Sequence, residues 1–386
     1  MFLIAFAIVL LSASCRSGLC ADSKCAPENK CPAQKSKKTA KLRIGFYVDS
    51  GSQGGGVLKL ARLVEYSPEF ELVLLDGKDL REGKLSGVDM LLVPGGSSEN
   101  QYLSMQESGA QAVRDFVSNG GAYFGVCAGF HCAMNRPERI KLLPYGRKGS
   151  AGYQGITAVE ISAEGAKLLG VSPGRILGYY SLGPISFKEK DWKNSSAKTL
   201  AVYKSISTQP GEKTNKMFDS PAIIYGNHGK GKVVATSFHP EGYKATSHLV
   251  FSCIKLVTGV KGKPVFPAKN RRPVRVAFYA ATLRGKEYVP IWLALDRHAD
   301  IGAFTAAARD IDNGALDNAD VLVIPPGNAQ KIKKPLQARR YGLKQFMDRG
   351  GYIVSRSAEI ADIIKHKNVI IVPEEKCFVP SVLQVR

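Results

Sequence analysis

The sequence offers no apolar run of bilayer length at its amino terminus. Phe2 to Ala13 is about a dozen residues long, against about 20 for a spanning helix. It reads as the core of a signal peptide, although no Lys or Arg precedes it. Cysteine spacing typical of metal or redox sites is missing too. Cys20, Cys25 and Cys31 stand five and six residues apart, which fits neither paired zinc ligands nor a C-x-x-C couple. The glycine-rich stretch Gly51 to Gly56 follows neither the G-x-x-x-x-G-K-S/T nor the G-x-G-x-x-G order, which argues against a phosphate- or dinucleotide-binding loop. No arginine-rich helix and no basic motif interleaved with aromatics occurs. The net charge of +21 therefore reads as a diffuse basic surface, and nucleic acid is excluded as a partner. No metal or cofactor is implied.

What is present suffices for two or three folded units. The chain has 386 residues, 44% of them hydrophobic, with 54 basic and 33 acidic residues. Residues 1–14 read as the signal peptide, placing the protein outside the cytoplasm as a periplasmic, secreted or lipid-anchored species. Leu11-Ser12-Ala13-Ser14-Cys15 partly resembles a bacterial lipobox. Ordinary cleavage and lipidation of Cys15 both stay open, and with them an association with the membrane or cell envelope through the N-terminus. Residues 15–41, rich in Lys, Ser, Ala and Pro without an apolar period, read as a disordered basic linker. From residue 42 to 260 short apolar runs alternate with helical segments, the pattern of a parallel α/β sheet flanked by helices. A β-rich insert falls between residues 151 and 225. Residues 261–272 form a Lys/Pro/Arg-rich linker, and residues 273–386 a further unit.

One short stretch organises the first unit. Gly125-Val126-Cys127-Ala128-Gly129 follows a buried-strand pattern and precedes a helix. That is how a nucleophile is placed on a sharp strand-to-helix turn, with glycines where side chains would clash. A thiol there meets the unpaired N–H groups and dipole of a helix N-terminus, which favour thiolate. About 110 residues later, Ser237-Phe238-His239-Pro240-Glu241 follows another apolar strand. His239 is the base a nucleophilic cysteine needs, and Glu241 the carboxylate that orients it. Pro94-Gly95-Gly96 closes a third strand, where open α/β sheets place their ligands. The N–H groups of Gly95, Gly96 and Ala128 make an oxyanion hole, in which each donor is worth about 3 to 4 kcal/mol in the transition state. His131 lies near enough in sequence to line the pocket. Cys132 and Cys253 read as core residues.

These segments carry a resemblance. GVCAG followed by FHPE is similar to the Cys-His-Glu set of class I glutamine amidotransferases. Val93 to Gly96, Gln101-Tyr102, Val113 to Val117 and Gly120 to Tyr123 leading into GVCAG resemble the amino-terminal, amidotransferase-like domain of eukaryotic biotin-protein ligases and of stand-alone bacterial proteins. The likeness continues through Tyr179 to Phe187 and Ile224 to Glu241, and so covers roughly residues 42 to 260. It implies a flavodoxin-like sheet of the class I glutamine amidotransferase type and chemistry on an amide through a thioester. It also implies that Tyr102 and Tyr180 lie near the substrate pocket. The chain departs from the family in carrying Phe130-His131-Cys132 after CAG. No biotin-ligase catalytic half accompanies the resemblance here, so biotin transfer is not implied.

After the linker the pattern begins again. Val274 to Tyr279 echoes Leu42 to Tyr47, Ala319 to Gly327 echoes Val88 to Gly96, and Phe346 to Ile353 echoes Phe116 to Tyr123. Aligning Gly350-Gly351 with Gly120-Gly121 puts Ser357 opposite Cys127 and Pro326 where an oxyanion-hole glycine stands. Residues 273–386 thus read as a partial, degenerate amidotransferase-like repeat. Two functions are compatible with this pattern. One is an exported amide hydrolase or amidotransferase-like domain acting on a small-molecule or peptide amide. The other is a non-catalytic binding or scaffold protein that keeps the pocket. The sequence names neither the substrate nor the oligomeric state.

Overall fold

The computed structural model describes residues 9–10, 40–150, 152, 154–189, 196–205, 217–280, 285–325, 329–372 and 378–379. All of the expected signal peptide but Val9–Leu10, together with Cys15, almost all of the first linker and Pro326, lies outside the described residues. Val9–Leu10 pairs antiparallel with Phe378–Val379.

A mixed α/β architecture is built on one large sheet flanked by helices. Its strands are β1 (Leu42–Tyr47), β2 (Phe70–Leu75), β3 (Met90–Val93), β4 (Ala122–Val126), β5 (Gln154–Ile161), β6 (Gly174–Ser181), β7 (Lys198–Tyr203), β8 (Pro221–His228) and β9 (Gly231–Thr236). They lie in the order β2-β1-β3-β4-β9-β8-β7-β5-β6. The first five are parallel neighbours; the remaining pairs are antiparallel. β3 and β4 are buried along their whole length, as continuous apolar runs covered on both faces should be. β4 runs to Val126, directly into the cysteine. The helices that matter for the site are α1 (Gly55–Glu65), α2 (Ser98–Ser118), α3 (Ala128–Ala133) and α4 (His248–Thr258).

A second, wholly parallel sheet comprises β10 (Val274–Tyr279), β11 (Ile301–Ala306), β12 (Val321–Ile324), β13 (Tyr352–Ser355) and β14 (Val369–Ile371), in the order β11-β10-β12-β13-β14. That succession matches β2-β1-β3-β4-β9. Local contacts match as well. Asp89 accepts from the Arg43 N–H at 2.7 Å, and Asp320 from the Arg275 N–H at 2.7 Å. Gly121 and Gly351 each leave no room for a Cβ against the rings of Phe116 and Phe346. The corner after β13 differs from that after β4, because none of residues 355–358 has a positive φ.

The second sheet joins the first through α5 (Tyr288–Arg297), whose Tyr288, Val289 and Trp292 share one apolar core with Val57, Leu58 and Leu60 of α1. Arg62 pairs with the buried carboxylate of Asp296 at 2.5 Å, and Lys286 with Asp76 at 2.8 Å.

Candidate active site

Cys127 stands between β4 and α3 with φ 52° and ψ −98°, a left-handed conformation that a residue with a Cβ avoids. The surroundings impose it. The Cys127 N–H donates to the Thr236 carbonyl of β9 at 2.7 Å, and its own carbonyl accepts from the His131 N–H at 3.1 Å. The flanking glycines serve close approach: a Cβ on Gly125 would lie 2.5 Å from the Gly129 carbonyl, and one on Gly129 would lie 2.1 Å from the Val93 oxygen. Strain at the cysteine thus rests on backbone packing that only glycine permits.

His239 arrives from β9, the strand inserted beside β4. Its N–H donates to the Tyr179 carbonyl at 2.7 Å, and Ser237 donates to the Pro184 carbonyl at 2.7 Å, which pins the segment to the end of β6. Pro240 opens a single 3-10 turn, and Glu241 folds back so that its Oε1 sits 2.7 Å from His239 Nδ1. The Cys127 sulfur lies near enough to the same ring to help raise its pKa. With Nδ1 taken by Glu241, Nε2 is the nitrogen left for the sulfur. The three residues meet although about 110 residues separate the first from the other two.

Burial works against a charged imidazole here. Even so, the Glu241 carboxylate and the Cys127 sulfur hold His239 well above its ordinary value of 6.5. The Glu241 side chain is fully buried and lies against the N-terminus of α1, where a Cβ on Gly56 would come within 2.7 Å of Oε1. No acidic residue occupies the first turn of α1, so its positive end faces this carboxylate. Gly54 has φ 82°, and a Cβ on Gly55 would meet Thr305 Oγ1 at 2.6 Å. The glycine run that failed as a phosphate loop brings the helix close to Glu241 and to the second unit.

The sign of the resulting pH dependence follows from the raised value. The unfolded chain releases the imidazole proton near 6.5, whereas the folded one holds it higher. The His239–Glu241 pair therefore contributes its full stability below pH 6.5 and loses it as pH rises through the folded value. Glu241→Gln should lower the His239 titration, since the buried ring then loses its carboxylate partner. The stability gap to wild type should be fully present below pH 6.5 and close as pH rises through the folded value. Ring NMR and denaturant unfolding across pH check both.

Cys127 opens on a cavity of about 240 Å³, shared with Gly96, Ala128 and His131. Gly95 lies behind, where a Cβ would stand 2.6 Å from His239 Cε1 and 3.5 Å from Cys127 Cβ. Leu182, with φ 55°, and Pro184 roof the cavity, and the thiol donates to the Ser181 carbonyl at 3.6 Å. Among the described residues, all that line the cavity fall between Gly96 and Pro184, and none belongs to the second unit. A larger hollow of about 840 Å³ lies at the opposite, amino ends of β1, β3 and β4, around Leu42, Asp89 and Phe116, and holds none of these groups.

His131 lines the cavity, with Nδ1 2.6 Å from Ser98 Oγ. Its pKa falls to about 3, through burial first and then the nearby Arg139, Arg147 and Arg136. Two expected pocket residues are placed elsewhere. Tyr102, on α2, bonds its hydroxyl to Glu107 and takes no part in lining the cavity, to which α2 brings only its first turn, through Ser98 and Glu99. Tyr180 is fully buried behind the roof, donating to the Gly183 carbonyl at 2.6 Å and packing edge-on to Tyr203; alternation along β6 turns it into the core. Arg139, Arg147, Glu99 and Leu182 line the cavity without a sequence expectation for them. Cys132 and Cys253 are sealed in the core, and burial pushes the Cys132 thiol up to about 12.

A mixed α/β fold with a large sheet flanked by helices thus gathers a cysteine, a histidine and a glutamate at the carboxyl ends of its parallel strands. More particularly, residues 57–138 match the family model described as "Biotin-protein ligase, N terminal", a span that includes the Cys127 corner but not His239 or Glu241. The chain is 27% identical over 196 residues to a biotin–protein ligase of Schizosaccharomyces pombe, an alignment covering 45% of this chain and 29% of the ligase. It thus spans under a third of that relative's length. Among solved structures it is similar to a ThuA-like protein from Bacteroides uniformis, at 14% identity and TM-score 0.44, covering 60% of this chain and 97% of that one. It is also similar to a glutamine amidotransferase from Thermotoga maritima, at 16% identity and TM-score 0.36, covering 56% and 83%.

Proposed function

We propose that residues 42–260 form a cysteine-dependent amide hydrolase of the amidotransferase-like type, with Cys127 as nucleophile, His239 as base and Glu241 as the group that orients the base. One observation carries the reading. A cysteine held in a strained left-handed corner faces an imidazole whose far nitrogen is fixed by a buried carboxylate, and the sulfur opens on a cavity.

In this scheme Cys127 Sγ attacks the amide carbonyl carbon as its proton passes to His239 Nε2. The oxyanion forms beside the backbone of Gly95, Gly96 and Ala128. On collapse the C–N bond breaks, and the imidazolium gives its proton to the departing amine. A thioester on Cys127 remains. Water, deprotonated by His239, attacks it, and the acid leaves as the thiol regains its proton.

A second reading, a binding protein that keeps the pocket without turnover, draws on one contact. The thiol hydrogen-bonds to the Ser181 carbonyl, and Cys127 is only 5% exposed, so the sulfur must turn before it can attack. The test is a panel of neutral and carboxylate-bearing amides, followed by amine release, with hydroxylamine added to intercept a thioester as the hydroxamate. Hydroxamate formation in step with amine release is the expected result. Saturable binding of an amide with no amine released from any member would favour the second reading.

A further inference from the structure

Helix α1 has two neighbours where a helix on the surface of a sheet has one. It buries Val57, Leu58, Leu60, Ala61, Leu63 and Val64, which at about 3.6 residues per turn spread over roughly 220° of its circumference. A single sheet face covers a narrower stripe. The second unit takes the excess: α1 packs on β2 and on the Pro240–Gly242 turn from one side and on α5 from the other. Arg62 and Glu65 reach across to Asp296 and Arg297 and fasten the far half of the helix. Its N-terminus meets β11, the edge strand of the second sheet. Alternation along β11 places Ala303 and Thr305 on one face. Ala303 packs on the core shared with α1, and Thr305 lies against the tip of the helix. A Cβ on Gly55 would come within 2.6 Å of Thr305 Oγ1, 3.1 Å of its Cβ and 3.4 Å of its Cγ2. One on the next residue, Gly56, would come within 2.7 Å of Glu241 Oε1 and 3.4 Å of His239 Nδ1. Glycine backbone alone thus lies between the second unit and the His239–Glu241 pair.

We propose that Thr305 is a positioning residue supplied by the second unit, which fixes how closely the N-terminus of α1 approaches Glu241. A β-branched side chain is stiff at χ1, so it holds a distance better than a long flexible one would. Gly55 and Gly56 pass that distance on, because no side chain intervenes to absorb it. Glu241 depends on the helix. Its side chain is fully buried, and its Oε2 has no hydrogen-bond partner among the described residues, which leaves the imidazole and the positive end of α1 to offset its charge. Glu241, Cys127 and, at 6.0 Å between ring centroids, Tyr179 are the titratable groups facing the His239 ring, and the first turn of α1 adds none. Withdrawing the helix tip admits water, which weakens both the burial that opposes the imidazolium and the carboxylate that favours it. The His239 value, raised in the closed arrangement, then relaxes toward 6.5. This coupling stands on the geometry of the pair; only its effect on turnover rests on the hydrolase reading.

Thr305→Phe drives a wedge against Gly55, and Thr305→Ser keeps the nearest contact. In the full chain, His239 is titrated by ring NMR and Cys127 is alkylated with iodoacetamide across pH. In the Phe variant the His239 midpoint should fall toward 6.5 by about one pH unit or more, and the pH profile of Cys127 alkylation should move with it. The Ser variant should titrate like wild type. Asp296→Asn loosens the same interface at the other end of α1, so it should lower the unfolding midpoint and leave His239 where it is. If the Phe variant does not fold, Thr305→Ala takes its place, leaving a gap where the side chain stood. The first-turn amides of α1 should then exchange about tenfold faster or more, with a smaller fall in the His239 midpoint. A folded Phe variant with His239 unmoved, or an Ala variant unchanged in both readouts, would overturn the proposal. So would an equal shift in Asp296→Asn, because the interface as a whole and not Thr305 would then act. Neither readout needs turnover. A shifted His239 in a protein that hydrolyses no amide would keep the positioning role and remove the hydrolase reading. Amide turnover with His239 unmoved by the wedge would do the reverse.

Discussion

Replacing Cys127 by serine should abolish amide turnover, by about 10³-fold or more, while the unfolding midpoint stays near that of wild type. The two side chains are close to isosteric, and the sulfur's one hydrogen bond, to the Ser181 carbonyl at 3.6 Å, is one that a hydroxyl can also make. Chemistry changes far more than packing does. A hydroxyl is much less acidic than a thiol, so it yields its proton to the imidazole far less readily. His239→Ala should cost a comparable amount, and the double variant little more than either, because groups acting as a unit are not additive. Amine release from the amide panel, with circular dichroism as the folding control, measures both. Turnover in the serine variant equal to wild type would place the chemistry at another residue.

The second large effect is on stability. Gly129→Ala should destabilise the protein by about 3 kcal/mol or more and disrupt the corner. The new Cβ would lie 2.1 Å from the Val93 oxygen and 3.0 Å from its carbon. These are backbone atoms at the end of β3, held between β1 and β4, and cannot withdraw as a flexible side chain would. Gly125→Ala, whose Cβ would press on Gly129 at 2.5 Å, should behave similarly. Gly342→Ala is the control. It sits in the helix Arg340–Asp348 with nothing within 4 Å of its Cβ and no positive φ, so it should be neutral or stabilise by up to ~1 kcal/mol. Denaturant unfolding of the three variants checks the order.

The parts of the site legible in the sequence are those whose chemistry is written in adjacent residues. Gly125 to Gly129 names a turn and a thiol together, and His239-Pro240-Glu241 names a base and its partner two positions apart. Their meeting depends on β9 lying next to β4, which short apolar strands do not reveal, because pairing order leaves no mark on composition. The Gly54 to Gly56 run was legible as glycine-rich but not as the cushion for Glu241, since that contact joins the start of the unit to its end. Tyr102 and Tyr180 show the limit of reading position from motif alone: Tyr102 stands one turn along α2 from Ser98 with its hydroxyl drawn to Glu107, and strand alternation turns Tyr180 into the core. Arg139 and Arg147 had the opposite fate. In a chain with 54 basic residues, two arginines facing a cavity look like surface charge until the fold groups them.

The claim on which the rest depends is that Cys127 is chemically set apart by His239 and Glu241. Competitive alkylation by a trace of iodoacetamide, with peptide mapping of Cys127, Cys132 and Cys253 in one sample across pH, measures it most directly. Cys127 should be modified first by a wide margin and already near neutral pH, where a free thiol with a pKa near 8.5 is mostly protonated. His239→Ala should slow it by about 10²-fold while the two core cysteines keep their rates. Modification of Cys127 no faster than that of a free thiol, or a rate indifferent to the loss of His239, would contradict the account.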